Sequence, residues 1–336
     1  MQLYLDSFGA FLGVKNKMFW LKPKHGEVEL IAVRDVHAVF LTKGVSVSVD
    51  AMMLALEHQI PMVLIDRIGR SVGQVWSGQF GSIATIRKQQ ALFTTHIEGW
   101  RWVQQHILQK ILQQQLFLEQ LALELNGSLE FHKAFYTATN VFGKVQKGLE
   151  EWHPEQHGYE VEKIAATFRG WEGIASRHYF QCLSCALPSV YQFRKRSRRP
   201  AFDAFNSLLN YLYGMLYSMV ELALMKAGVD PYMGILHADE YQKTTMVFDM
   251  IEVYRHWAEQ VAVDLCREGR LSKDAFAESE DKGVWLESAG KSVVIPFFLN
   301  FMQQKIGYKN QVRKRITHID LDAQRFALLL KNFKPS

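Results

Sequence analysis

The chain has 336 residues, of which 48% are hydrophobic, with 39 basic residues, 34 acidic residues and three cysteines. That length favours two domains over a single core, and the apolar fraction is typical of a soluble globular protein. We find no uninterrupted apolar run of about 18 residues, so we expect no membrane-spanning helix. No basic segment precedes an apolar block at the start of the chain, so we expect no secretory signal and a cytoplasmic location.

The cysteines argue against a structural zinc site. Cys182 and Cys185 form one Cys-x-x-Cys pair and Cys266 stands alone, whereas a four-cysteine site needs a second pair. The pair lies in a helical pattern and does not follow a strand, which argues against a thioredoxin-like redox motif. We interpret the pair as two small apolar residues one helical turn apart.

Residues 1–76 predict a small, mostly β domain with one helix. Their short apolar runs have a period close to two and are separated by turn residues. Residues 50–58 interrupt the strands with a single helical segment. Residues 77–85, SGQFGSIAT, are small and polar and contain glycine, so they are predicted to be a linker.

Residues 86–336 predict a large all-α domain, because the apolar period there becomes that of a helix. One long helix is expected from Ile86 to the stop at Asn126-Gly127, and another from Phe202 to Ala227, just before Gly228. A further helix is predicted to start at Thr244 or Thr245. Shorter helices are predicted at 128–149, 158–168, 172–187, 293–306 and 321–333. The predicted fold class is therefore α+β.

Two acids in the helical part have the spacing of a metal site. Asp249 and Glu252 lie three residues apart on a predicted helix, so both side chains project from one face. Neighbouring apolar residues indicate partial burial, which makes the repulsion between the two charges costly unless a cation lies between them. Mg²⁺ and Mn²⁺ prefer carboxylate oxygens, and His237 would add an imidazole. The alternative is a solvated acidic face with a separately satisfied histidine.

Glu172 is a further candidate ligand, from a separate segment. We place it in the first turn of a predicted helix, where acids are common because they complement the helix dipole, and that is the alternative interpretation. Two carboxylates and an imidazole from three segments are the donor set that an open metal site needs. The remaining positions are then free for water and a phosphate oxygen.

Two basic tracts carry most of the mild net charge of +5. Residues 194–199 hold five cations in six positions, and five more cations lie between residues 305 and 315. Such tracts neutralise nucleic-acid phosphates, although a solvated loop has the same composition. The helix after the first tract carries polar and tyrosine side chains that would hold a DNA backbone, unless the tyrosines are core anchors. The predicted DNA-binding residues are Arg177, Arg194, Lys195, Arg196, Arg198, Arg199, Asn206, Tyr211, Lys309 and Arg313.

Four segments together resemble the CRISPR-associated adaptation integrase family, whose members are endonucleases that insert new spacers into a repeat array. The segments are GVSVSVDAMMLALEHQIPMVLIDRIGRSVG from Gly44, EGIASRHYF from Glu172, RRPAFDAFNSLLNYLYGMLYS from Arg198, and GILH from Gly234 with FDMIEVYR from Phe248. All four in this order make the resemblance specific. It implies a metal site of Glu172, His237 and one acid of the Asp249/Glu252 pair. We favour Glu252 as the direct ligand, with Asp249 beside it as a further catalytic residue.

The resemblance also implies an activity, a cofactor and partners. A DNA 3′-hydroxyl would attack a phosphodiester at the edge of a repeat, in a transesterification assisted by Mg²⁺ or Mn²⁺. The implied partners are double-stranded DNA (a prespacer and the repeat array), a second copy of the chain bound through the β domain, and a small ferredoxin-like protein. The helical domain would hold the metal and the DNA. The competing hypotheses are a non-enzymatic DNA-binding scaffold and, more weakly, a hydrolase of small phosphoesters.

Overall fold

The computed structural model describes residues 1–24, 26–66, 69, 71–75, 83–153, 161–237, 243–281 and 283–335. Strands dominate the described residues up to Val75, and helices dominate from Ile83 onward. The α+β class is confirmed, with a strand-rich N-terminal region followed by a larger helical region.

Two four-stranded sheets form the N-terminal region. In chain order the strands are β1 (Gln2–Leu5), β2 (Phe11–Lys15), β3 (Met18–Lys22), β4 (Glu29–Ile31), β5 (Ala38–Thr42), β6 (Ser46–Val47), β7 (Met62–Ile65) and β8 (Ser71–Val75). One sheet has the order β1-β5-β7-β8, parallel except for β8, and the other has the order β4-β3-β2-β6. Helix α1 (Val49–Glu57) is the predicted single helix, and the Ser48 side chain caps it by accepting from the Ala51 amide.

Strand β5 of the first sheet is buried on both faces. Val39 and Leu41 of β5 form a small core with Leu12 and Phe19 of the second sheet. Phe40, between them in sequence, points to the opposite face because side chains alternate along a strand, and it belongs to the core of the helical region. The N-terminal sheet and the helices therefore share one hydrophobic core.

The helical region contains nine α-helices among the described residues. They are α2 (Ile83–Thr94), α3 (Ile97–Glu124), α4 (Leu129–Glu150), α5 (Val161–Cys185), α6 (Ala204–Lys226), α7 (Thr245–Ile251), α8 (Arg255–Arg267), α9 (Ser288–Gln303) and α10 (Arg315–Asn332). A short 3₁₀ turn, Glu252–Tyr254, joins α7 to α8. α4 packs along α5, and α6 packs against α7, α8 and α10.

Helix α6 is the centre of this packing. Its length and apolar composition would allow it to cross a membrane, but 78% of its most apolar stretch is buried inside the protein. It also contacts the N-terminal region, where the Ser218 hydroxyl donates to the Gly69 carbonyl at 3.0 Å. A buried core helix accounts for these properties.

Several helix boundaries differ from the prediction. Helices α9 and α10 begin five and six residues earlier than expected, at Ser288 and Arg315. The helix expected from Ile86 is divided into α2 and α3, because the chain turns sharply before Gly99, where any side chain would clash with the Phe93 carbonyl. The helices expected at 158–168 and 172–187 are one helix, α5. A glycine inside a helix costs about 1 kcal/mol, so packing against α4 outweighs the cost of Gly170. Glu172 consequently lies in mid-helix and not in a first turn, which removes the helix-dipole explanation for it.

Two hairpins in the helical region were not predicted. They are β9 (Phe276–Ser279) with β10 (Gly283–Leu286), and β11 (Lys305–Tyr308) with β12 (Gln311–Lys314). The second turns at Lys309-Asn310 with positive φ angles of 48° and 61°, as a two-residue hairpin turn requires. The basic residues of the tract at 305–315 conceal the alternation of apolar and polar side chains that is typical of a strand. Part of the predicted linker, 77–82, lies outside the described residues, and residues 83–85 already belong to α2, so the domain boundaries stay a prediction.

Candidate metal centre and nucleic-acid interface

Asp249 holds His237 in a fixed orientation. The Asp249 carboxylate is buried and accepts the backbone N–H groups of Ile235, Leu236 and His237 at 2.5, 3.1 and 3.2 Å. It also lies 2.6 Å from Nδ1 of the His237 ring. Because a carboxylate only accepts, Nδ1 is the donor in this contact, and a neutral ring would then keep its lone pair on Nε2. A carboxylate in this position commonly orients a metal-binding histidine.

Glu252 is the first residue of the 3₁₀ turn after α7, and its side chain is only 7% exposed. Its Oε1 accepts from Arg255 Nε at 2.8 Å, and the same guanidinium donates to the Tyr217 hydroxyl at 2.6 Å. Its Oε2 lies 2.6 Å from Lys110 Nζ, yet that oxygen is buried and accepts no hydrogen bond among the described residues. This oxygen is therefore paired with the Lys110 ammonium and could coordinate another cation only in its place.

Glu172 completes the cluster from the middle of α5. Its Oε1 accepts from the Ser176 hydroxyl at 2.9 Å and from the ammonium of Lys110. Lys110 belongs to α3 and is 5% exposed, whereas Glu172 is 28% exposed. A single ammonium thus bridges acids from two different parts of the chain.

Charge pairing sets the protonation of this cluster. Burial raises the pKa of Glu252, but the charges of Arg255 and Lys110 outweigh it and lower that pKa to about 2. Burial also raises the pKa of Glu172, and Lys110 brings it below its ordinary value. Burial lowers the pKa of Lys110, but the charges of Glu172 and Glu252 raise it by more, so the pKa lies above its ordinary value. Both acids are therefore ionised and Lys110 is protonated at neutral pH.

The donor set fits Mg²⁺ or Mn²⁺ with some rearrangement. Two carboxylates and an imidazole are suitable ligands for either ion. As the described residues stand, no three histidine, cysteine or acidic side chains are arranged to hold an ion. The Lys110 ammonium contacts both acids, and together with Arg255 it balances their two charges.

A second buried acid lies behind the cluster. Glu259 is fully buried and accepts from the hydroxyls of Tyr179, at 2.7 Å, and Tyr213, at 2.5 Å. Burial raises the pKa of Glu259. Its oxygens are already used by the two tyrosines, so Glu259 belongs to the core and is not a further ligand, and Tyr213 is a core anchor.

The arginine-rich loop is tied to the start of α6 by Asn206. The side-chain oxygen of Asn206 accepts from Arg196 and from the Ser197 amide, and its NH₂ group donates to the Lys195 carbonyl and to Asp203. Asn206 is fully buried. Its polar atoms are all used in shaping the loop, which argues against the predicted contact between Asn206 and DNA.

The other predicted DNA-binding residues fall into two groups. Arg196 stacks within 5.6 Å of the Phe180 ring centre and donates to Asn210, so much of its side chain supports the loop. Tyr211 is 4% exposed, which leaves little of it for a ligand. Six residues are exposed: Arg177, Arg194, Lys195, Arg198, Arg199 and Arg313. Lys309 is also exposed, and it pairs with Asp322 at 2.9 Å.

A cleft of about 3140 Å³ runs between the N-terminal sheets and the helices. Its walls include Arg198 and Arg199 of the basic loop, and also Tyr217, Phe248 and Arg255. Tyr217 and Arg255 are the side chains bonded to each other beside Glu252. The basic loop and the edge of the carboxylate cluster therefore face the same open space.

Two important residues of this site were not predicted. Arg255 stood within the FDMIEVYR segment without an assigned role. The helical period of the sequence places Lys110 in a helix and indicates no further role. In the structure it lies on the buried stripe of α3 with Val103, Ile107 and Phe117. A lysine at a core position of a helix is the signal that would have identified it, since lysine is almost never fully buried without a partner.

Solved structures share the fold of this chain. A casposase bound to integration product superposes with a TM-score of 0.82 at 17% identity, covering 100% of this chain and 92% of that one. A CAS1 protein from Thermotoga maritima superposes with a TM-score of 0.78 at 17% identity, and each chain is covered completely. The fold thus places the chain in the architectural class that CRISPR-associated and casposase proteins share.

The sequence comparisons identify the family within that class. A family model described as CRISPR associated protein Cas1 matches residues 3–299. A CRISPR-associated endonuclease Cas1 from Archaeoglobus fulgidus is 26% identical over 320 residues, which are 93% of this chain and 91% of that protein. Another from Thermus thermophilus is 27% identical over 332 residues, with 98% and 96% covered. The chain belongs to the Cas1 family of CRISPR-associated proteins.

Proposed function

We propose that the protein is a metal-dependent DNA endonuclease and integrase that inserts new spacers into a CRISPR array. The observation that best supports this proposal is the pairing of Glu172 and Glu252, from two separate segments, through Lys110, with the Asp249-oriented His237 near enough to act on the charge of Glu252. Arg255, which pairs with Glu252, lines a cleft that the arginine-rich loop also lines. Membership of an endonuclease and integrase family agrees with it.

The proposed reaction is a transesterification. The 3′-hydroxyl of the incoming DNA attacks a phosphodiester at the edge of a repeat. One phosphorus–oxygen bond forms while the bond to the 3′-oxygen of the attacked strand breaks, so the number of phosphodiesters is conserved and no covalent enzyme intermediate is required. Mg²⁺ or Mn²⁺ held by Glu172, Glu252 and His237 would supply Lewis-acid stabilisation of the charge that develops on phosphorus-bound oxygens.

The protein's own groups have distinct tasks in this proposal. Asp249 fixes the His237 ring through Nδ1, so that Nε2 would be the atom that binds the ion. Arg255 holds Glu252 by Oε1, and Oε2, which lies 2.6 Å from Lys110 Nζ, would be the oxygen that binds the ion. Exposed arginines of the loop, such as Arg198, neutralise phosphates of the DNA backbone and hold it along the cleft.

The proposal includes partners and a location. Two of the structural neighbours come from complexes: one title names a casposase bound to integration product, and another a Cas6-RT-Cas1–Cas2 complex, in which this chain matches 35% of the larger chain at 24% identity. By analogy we propose that this protein binds double-stranded DNA, forms a homodimer through its N-terminal region and assembles with a small ferredoxin-like partner. Such a system would act in the cytoplasm.

A strand-transfer assay tests the proposal. The purified protein is mixed with a short duplex, a supercoiled plasmid that carries the repeat, and Mn²⁺, and the joined products are measured. His237→Ala should abolish them, because the ion loses its nitrogen ligand, while circular dichroism shows an intact fold. His58→Ala, a change at an exposed histidine after α1, is the matched control and should leave product formation unchanged. Transfer by His237→Ala at the wild-type rate contradicts the mechanism.

One observation favours the competing scaffold hypothesis. The charges of Glu172 and Glu252 are already balanced by Lys110 and Arg255, so the cluster needs no metal ion for charge balance. A scaffold predicts that Mn²⁺ leaves the unfolding temperature unchanged and that Glu172→Ala has no effect on DNA binding or processing. An integrase predicts a rise in the unfolding temperature with Mn²⁺ that Glu172→Ala removes.

A further inference from the structure

Lys110 occupies the centre of the carboxylate cluster. Its Nζ lies 2.6 Å from Glu252 Oε2 and also contacts Glu172 Oε1. It reaches this place from α3, whereas the acids belong to α5 and to the turn after α7. No other cation among the described residues contacts both acids.

The contacts of Lys110 with Glu172 and Glu252 are not an incidental ion pair at the surface. Lys110 is 4% exposed and sits on the stripe of α3 that also carries the buried residues Ile107 and Ile111. A buried ammonium without partners costs several kcal/mol, so the two carboxylates are what keep it there. They in turn would repel each other without it. The three groups form a unit in which each charge depends on the others.

The same space is where the ion of the proposed mechanism would bind. Mg²⁺ coordinates oxygen at about 2.0–2.1 Å, closer than the 2.6 Å at which the ammonium lies from Glu252 Oε2. An ion bound to that oxygen and to Glu172 Oε1 would overlap with Nζ. The ion and the ammonium therefore exclude each other.

We propose that Lys110 is a placeholder cation, which holds Glu172 and Glu252 together before the divalent ion binds and leaves its position when the ion enters. This inference rests on the proposed function, because it concerns the same metal centre. Lys110 is then a positioning residue, because it holds one acid of α5 and one acid of the turn after α7 in place for the ion. It also weakens metal binding, since the ion must displace a cation that is already paired.

Calorimetric titration of the full-length protein with Mn²⁺ alone tests the proposal. Lys110→Met, which preserves the length and shape of the stem, should bind Mn²⁺ on the order of tenfold more tightly than the wild type or better, since no internal cation has to be displaced. In EDTA the same variant should unfold at a lower temperature, because the two acids are left unneutralised. A merely structural lysine would give the opposite first result, since a damaged site binds metal more weakly.

Two further variants and a structure complete the test. Lys147→Met changes an exposed lysine of α4 and should alter neither quantity. Lys110→Gln, which keeps a hydrogen-bond donor for Glu172, should also bind Mn²⁺ more tightly than the wild type. This variant replaces Lys110→Met in the test if Lys110→Met does not fold in EDTA. Mn²⁺ binding by both Lys110 variants that is no tighter than that of the wild type overturns the proposal. So does a Mn²⁺-bound crystal structure with Nζ still between the acids. A wild type that binds no Mn²⁺ refutes instead the metal-dependent function itself.

Discussion

At the scale of single residues, Asp249 determines what His237 can do. The Asp249 carboxylate receives three backbone N–H groups and the imidazole Nδ1. These four contacts leave it no free position for an ion. The structure thus separates the two neighbouring acids of the sequence motif into an orienting residue and a candidate ligand, Glu252.

Asp249→Asn should therefore impair the site although every proposed metal ligand is still present. The NH₂ group of asparagine would face an N–H donor, so the His237 ring would lose its fixed orientation. Loss of such an orienting acid typically weakens metal binding about 10- to 100-fold. We expect that loss for Mn²⁺ in calorimetry, together with a matching fall in strand transfer.

The control for this prediction is Asp274→Asn, a change at an exposed aspartate in the 3₁₀ turn Lys273–Ala275. It should bind Mn²⁺ as the wild type does. Equal affinity in the two variants would mean that Asp249 does not act through the histidine.

At the scale of elements, the basic loop depends on the first turn of α6. Asp203 caps that helix by accepting from the Asn206 amide at 2.7 Å, and Asn206 in turn holds the loop backbone at Lys195 and Ser197. The loop's shape is thus set by a buried amide, whereas its exposed arginines supply the charge.

Asn206→Ala should affect both stability and DNA binding. Leaving buried hydrogen-bonding groups without partners costs about 1–3 kcal/mol, and we expect that loss in chemical unfolding. DNA affinity should fall as well, because the loop loses its fixed shape, although Asn206 itself is fully buried. The measurement is a DNA titration at two salt concentrations, next to the unfolding curve.

Arg198→Ala is the matched comparison at the same loop. Arg198 is exposed, so its loss should reduce DNA affinity and flatten the salt dependence, with the unfolding free energy unchanged. An Asn206→Ala protein that is less stable but binds DNA as tightly as the wild type would show that the order of the loop is irrelevant to binding.

The sequence predicted the elements better than it predicted the site. Strand alternation and helical periodicity are local properties, so the N-terminal sheets, α1 and α6 lie close to where they were expected. The role of Lys110 is non-local: 62 residues separate it from Glu172, and its flanking glutamines resemble a solvated face. The hairpin β11–β12 was missed because four of its residues carry charge, which conceals a period of two.

At the scale of the whole molecule, Glu221 links α6 to the N-terminal sheet. Its carboxylate is hydrogen-bonded to Ser71 of β8, and burial raises its pKa to about 7. Below a pH of about 4.5, the ordinary pKa of glutamate, the group is protonated in both folded and unfolded chains. Between about 4.5 and 7 only the folded chain keeps the proton, so the free energy of unfolding falls as the pH rises, and above about 7 that loss is complete.

Glu221→Gln should remove this pH dependence. Glutamine does not titrate, so the variant should gain stability relative to the wild type as pH rises from 5 to 8, by on the order of 2–3 kcal/mol. Unfolding curves in denaturant across that range measure the effect. Glu57→Gln, at an exposed position at the end of α1, should follow the wild-type profile, and a Glu221→Gln profile parallel to the wild type would refute the assignment.

Phe40, Val63 and Ile65 of the first sheet are packed with residues from the helices. Expression of residues 83–336 alone would expose the apolar surface of the helical region that these side chains cover. Such a fragment should aggregate or bind detergents. A lack of activity in that fragment would therefore not show that any residue of the site is catalytic. Dissection by point substitution, with both halves retained, is the sounder experimental route.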